Sequence, residues 1–211
     1  MLQAIAQAAA AAFITRAWQI FHGQAWFLGG QGYWADFLAA AHAVLAAAEA
    51  AGDQVALGWT HEIIGRYGTF SGADDEDLAH LARALDHFTR AGDLSGQAWA
   101  HLTASLAYGM KRDGAEGITR SEQALALFRQ TGDQAGQGWA LSGLAECHAR
   151  LGNDDLARGY ARQTLEVTPD TGDPTTLAFA WEALGIVHAA RRDTRGDQRL
   201  PAGPGLRARS G

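Results

Sequence analysis

A single cysteine, Cys147, rules out an internal disulfide, and a small, buried, apolar role is expected for it. Lysine is almost as scarce: Lys111 is the only one, so most lysine-dependent chemistry is excluded, and the P-loop pattern G-x-x-x-x-G-K-[ST] is absent. No run reaches 18 uninterrupted apolar residues, so no transmembrane helix is expected. The Ala-rich start, from Ala4 to Ile14, lacks a basic residue ahead of it and a clear cleavage site after it, so the expectation is a cytoplasmic chain. Proline occurs four times and never in the middle of a periodic segment, which leaves helices free to run. Charged residues are 19% of the chain and hydrophobic residues 47%, which is too little charge for a disordered chain and enough apolar material for a core.

The net charge of −6 is unevenly placed. From Arg191 to Gly211 there are six Arg and two Asp, so the body before them carries −10. An acidic body argues against a nucleic-acid surface. The Pro-, Gly- and Arg-rich segment 193–211 has no periodicity and reads as a disordered tail following a helical domain at 1–192.

What is present is a repeat. Gly-Asp pairs stand at Gly52-Asp53, Gly92-Asp93, Gly132-Asp133 and Gly172-Asp173, 40 residues apart. Six residues after each Asp stands a large aromatic, namely Trp59, Trp99, Trp139 and Phe179, and eight before each stands Leu45, Leu85, Leu125 or Leu165. Glycine takes the left-handed conformation that ends a helix, and aspartate accepts hydrogen bonds from the free N–H groups opening the next. A second break between pairs, at Ser71-Gly72, Asp113-Gly114 and Gly152-Asn153, divides each unit into two helices, A then B. The spacing predicts helices over 2–29, 33–50, 54–69, 74–90, 94–111, 115–130, 134–151, 154–168 and 174–191. Such units cannot bury their faces singly, so an all-α solenoid of stacked hairpins follows.

These residues resemble the tetratricopeptide repeat, whose pattern is W-x2-L-G-x2-Y, then A-x3-F, then P. Trp181, Leu184, Gly185 and His188 match its first part, with His for Tyr; Leu141, Leu144, Ala145 and His148 occupy the same positions one unit earlier, followed by Gly152, Ala157, Ala161 and Pro169. Small residues at 65, 105, 145 and 185 let the helices of a hairpin approach closely, whereas Asp77 and Gly117 stand where the family prefers Ala. The 40-residue period exceeds the usual 34, with the extra residues expected around the Gly-Asp junction. This longer unit looks like the C-terminal repeat array of large bacterial SARP/NB-ARC-type transcriptional regulators, over roughly residues 14–192. The resemblance implies a right-handed superhelix acting as a protein–protein interaction scaffold. An alternative is a small-molecule effector-sensing arm of such a regulator.

By that resemblance Trp59, Trp99, Trp139 and Phe179 fall where helix A faces a concave groove, together with Glu62, Arg66, Leu102, Leu106, Ser142, Glu146, Glu182 and Ile186. The aromatic column is either a ladder for a peptide or small molecule, or a set of wedges between successive A helices. The partner expected is a protein or peptide, with neither membrane nor direct nucleic-acid binding. An exposed apolar patch around Trp181 and Ile186 on the C-terminal helix is expected, either as a homodimer contact or as the place where a longer array is cut short. No enzyme is expected, because no cluster of titratable groups can be placed from sequence. No cofactor or metal is expected either, because His61 and His101, like His148 and His188, are one repeat apart, roughly 10 Å, and too far to share a metal ion.

Overall fold

The structure, a computed structural model, describes residues 33–71 and 75–167, with residues 18–20, 31, 181, 184 and 185. The expected tail 193–211 lies outside the described residues, as do Phe179, Glu182 and Ile186 and most of the helices expected over 2–29 and 174–191. Seven helices are described: α1 (Trp34–Ala51), α2 (Gln54–Ser71), α3 (Asp75–Ala91), α4 (Leu94–Met110), α5 (Gly114–Thr131), α6 (Gln134–Arg150) and α7 (Asp154–Val167). No strand occurs among the described residues.

Four of the seven described helices, α1, α3, α5 and α6, end in the same device. Gly52, Gly92, Gly132 and Gly152 have φ of 67°, 67°, 76° and 76°, where a side chain would be strained. The residue after each reaches back five positions: the N–H of Asp93 donates to the Phe88 carbonyl at 2.9 Å, and that of Asp133 to the Phe128 carbonyl at 3.0 Å. The same aspartates open the next helix, their carboxylates accepting from the Gly96 and Gly136 N–H groups at 2.9 Å each. Asp53 does so to Ala56 at 3.0 Å, and Asp113 to Glu116 at 3.2 Å. One residue therefore closes one helix and starts another, and the connection shrinks to two residues. The junction itself being two residues, the extra residues of the 40-residue period fall in the helices that flank it.

At one turn the rule is broken. Arg112 has φ 62°, the only non-glycine residue with positive φ among those described, yet it makes the same closure, with the Asp113 N–H on the Tyr108 carbonyl at 2.9 Å.

Helices pair as α2–α3, α4–α5 and α6–α7, with α1 preceding α2. The first helices of successive hairpins, α2, α4 and α6, also pack on one another, whereas α3, α5 and α7 pack only on first helices. The first helices therefore occupy the inner side of the curve. The chain is an all-α tetratricopeptide-like solenoid.

Phenylalanines lock each hairpin to the next. Phe88 and Phe128 are fully buried. A Cβ added to Gly96 would lie 2.3 Å from the Phe88 ring, one on Gly136 2.3 Å from Phe128, and one on Gly58 2.6 Å from Phe88. The rings thus fill slots that only glycine backbones leave. At the first junction Ala48 replaces the phenylalanine and Ala56 the glycine, and both are buried. Within hairpins, Gly65 lets Leu81 approach, its absent Cβ lying 2.7 Å from that side chain, and the Ser105 hydroxyl donates to the Gly117 carbonyl at 2.7 Å.

Three substitutions have expected outcomes in urea unfolding. Gly96→Ala should cost about 2 kcal/mol in the native background and little in a Phe88→Ala background, which restores the Ala–Ala pairing of the first junction. Arg112→Gly should raise stability by about 1 kcal/mol by relieving the left-handed strain, whereas Asp133→Ala should lower it by about 1 kcal/mol.

Candidate functional site

The residues expected to line the inner face form three rows across α2, α4 and α6. The row Trp59, Trp99, Trp139 is half-buried. Trp59 sets its edge on Phe88 at 5.1 Å between centroids and 71°, Trp99 does the same on Phe128 at 5.3 Å and 77°, and Trp18 stacks on Trp59 at 6.0 Å and 3°. Each of these tryptophans keeps part of its surface open while its edge belongs to the core.

The middle row departs from expectation. Glu62, Leu102 and Ser142 are 0%, 2% and 2% exposed, and offer a partner no surface. They sit where successive first helices touch, and helix-to-helix contact at mid-length leaves no room for a groove floor there. Glu62 shows the consequence: its carboxylate accepts from the Thr103 hydroxyl of α4 at 2.7 Å and from Arg66 Nε at 3.0 Å, with a second contact to Arg66 Nη2. This buried carboxylate bonds α2 to α4 and is neutralised by the half-exposed Arg66. Ser142 turns inward and donates to the Trp139 carbonyl at 2.8 Å.

The third row, Arg66, Leu106, Glu146, stays partly open and leads into a hollow of about 120 Å³ at the C-terminal ends of the first helices. Thr69 of α2, Leu106, Gly109 and Met110 of α4, and Glu146 and Arg150 of α6 line it. A second hollow of about 280 Å³ adjoins it through Gly109, Cys147 and Arg150 and runs to Arg112 and Leu151. Met110 and Leu151 are 53% and 50% exposed. A Cβ on Gly109 would meet nothing within 4 Å, so no internal packing requires a glycine there, and its absence deepens the hollow. The charged edge is the Glu146–Arg150 ion pair at 2.6 Å. Cys147 is buried as expected, and burial first, then Glu146, pushes its thiol up to about 11, so it stays protonated. Gly109, Met110 and Arg150 were not among the expected site residues. Their signal was one further helical turn from Leu106 and Glu146.

With the groove in place, the comparison with known families has a structural meaning. Residues 106–170 are similar to the tetratricopeptide repeat family. The matched stretch takes in the last turn of α4, all of α5 and α6, and α7, so it contains most of both hollows. It supports a tetratricopeptide-repeat protein, a class whose repeats generally mediate protein–protein interaction and whose fold is typically a non-enzymatic scaffold. No curated protein matches the chain. Among the described residues no group of three or more His, Cys, Asp or Glu could hold a metal ion, and no helix is long and apolar enough to cross a membrane.

A cluster of titratable groups does exist, contrary to the sequence expectation. His61 of α2 meets His80 of α3, Nδ1 to Nδ1, at 2.9 Å, and stacks on His87 at 5.6 Å and 6°. His61 is one repeat from His101, but its partners in space are two histidines seven residues apart on the facing helix.

The buried carboxylate gives a test of the inner row. Arg66→Met should destabilise the chain by about 3 kcal/mol, because Glu62 is left buried and unpaired. Glu62→Gln/Arg66→Met should recover most of that loss, as measured by thermal and urea unfolding.

Proposed function

We infer that the chain is a protein-interaction scaffold that holds an extended peptide segment along the ends of α2, α4 and α6. The observation carrying this reading is the pair of adjoining hollows with exposed Met110 and Leu151, a glycine notch at Gly109 and the Glu146–Arg150 pair on the rim. A hollow of about 120 Å³ suits one medium apolar side chain, and Arg150 beside it can exchange Glu146 for a carboxylate or carbonyl of the partner. The open, shallow form of these hollows favours a peptide over an enclosed small effector. The resemblance of the 40-residue unit to the arrays of bacterial regulators supports placing the scaffold in a regulatory system. The acidic body supports a protein partner over nucleic acid.

A second contact is supported by Trp181, which is 61% exposed while Leu184, three residues on, packs against the buried pair Ala145 and Ala161. An exposed tryptophan on a packed segment fits self-association at this end of the array.

Peptides selected on the purified chain from a random display library should lose at least tenfold in affinity for Leu106→Glu and for Met110→Glu, with unfolding midpoints unchanged. Asp86→Ala and Glu122→Ala, on the outer helices, should leave affinity as it was. Sensitivity to the outer substitutions alone would overturn the groove assignment.

A further inference from the structure

Arg112 is a residue that the repeat does not account for. One unit later the same turn is made by Gly152, with φ 76°, and one unit earlier the sequence has Gly72. The closure at Arg112 is the one the glycines make, so the turn gains nothing from a side chain and is strained by it. A strained residue that persists where glycine would relieve it points to a task for its side chain. A cation beyond a helix also offsets the helix dipole, but Lys111 caps α4 at φ −73° and supplies that charge without strain.

The Arg112 side chain lines the second hollow, of about 280 Å³, with Arg150, Leu151, Cys147, Gly109 and Gly114. Of the two arginines there, Arg150 is paired with Glu146. Arg112 has no ion pair among the described residues. Carboxylates of the adjoining elements are engaged: Asp113 accepts from the Glu116 N–H, Glu116 pairs with Arg120, and Asp75 pairs with Lys111. The hollow therefore joins an apolar wall to a guanidinium whose planar fork of donors matches a carboxylate. Exposed apolar surface continues past it, from Leu151 at the end of α6 to Leu156 on α7, which is 52% exposed. A bound segment can run on across that surface, which favours a side-chain carboxylate within the segment over one at its terminus.

Resting on the groove reading above, we propose that Arg112 selects the partner by receiving the side-chain carboxylate of an Asp or Glu that flanks the apolar residue seated at Gly109. The acidic body sharpens the choice. Its net charge of −10 repels an acidic segment, but charges more than about 8 Å away are screened at physiological ionic strength. A carboxylate is thus favoured beside Arg112 and disfavoured along the rest of the body. The strain in the turn is the cost of holding the charge at that rim.

The probes are peptides selected on the purified full chain from a random display library and sorted by their dependence on Met110. Those that lose affinity for Met110→Glu should carry Asp or Glu beside an apolar residue. Replacing that acidic residue by Asn or Gln should weaken binding to the native chain about tenfold and leave binding to Arg112→Gly as it was. Arg112→Gly should bind the parent peptides about tenfold more weakly while its urea midpoint rises. Arg112→Lys, which keeps the charge and loses the fork, should bind between the two. Native affinity in Arg112→Gly, with the dependence on Met110 intact, would overturn the proposal and leave the groove reading standing. A fall in the urea midpoint together with affinity would make Arg112 a structural residue and equally overturn it. Peptides that depend on neither Met110 nor Leu106 would defeat the groove reading, and this assignment with it.

Discussion

The array depends on a phenylalanine ring seated against bare glycine backbone. Phe88 reaches between Gly58 of one first helix and Gly96 of the next, and its own carbonyl receives the N–H of Asp93, which caps α4. Ring, turn and cap are therefore one unit: the ring sets the distance between hairpins, and the Gly-Asp turn sets their angle. Phe128, Gly136 and Asp133 repeat it. Close packing makes such a slot intolerant of even one added methyl. The first junction shows the other solution in the same chain, where Ala48 and Ala56 share the space differently.

Seating hairpins this closely has a consequence for the inner face. The first helices touch at mid-length, so Glu62, Leu102 and Ser142 become part of a helix–helix seam instead of a groove floor. Open surface survives on either side of that seam, as the half-buried tryptophans at one end and the two hollows at the other. The tryptophans share their rings with the phenylalanines below them, so any contact they make is coupled to the packing that holds hairpins together. The hollows near Gly109 carry no such obligation, which is why they are the better candidates for recognition.

Where the repeat keeps its residues, packing explains them; where it departs, another explanation is required. Arg112 in a turn built for glycine, Gly109 with no neighbour to accommodate, and three histidines where a later hairpin has Leu, Tyr and Val are such departures. Two of the three border the same pair of hollows.

By itself the sequence determined the elements. The Gly-Asp pairs at 52–53, 92–93 and 132–133, at a 40-residue spacing, marked helix boundaries, because the left-handed turn and the side-chain cap are local chemistry that needs no distant contact. The helix pairing followed from connections of two or three residues, and the fold class from the repeat. Gly172-Asp173, Phe179, Glu182 and Ile186 were legible in the same pattern but lie outside the described residues. Tertiary structure decided everything that depends on two elements meeting. Equal spacing along three helices could not show that one row of residues would be sealed in a seam while the rows beside it stayed open. Nor could it show that His61 would find His80 and His87, because those partners lie on a facing helix, out of repeat register, and are brought within 2.9 Å and 5.6 Å only by the close approach of α2 and α3. Periodicity records what each helix repeats along its own axis, whereas burial and proton sharing are set by the distance between axes, which the phenylalanine slots and small-residue contacts fix only once the chain has folded.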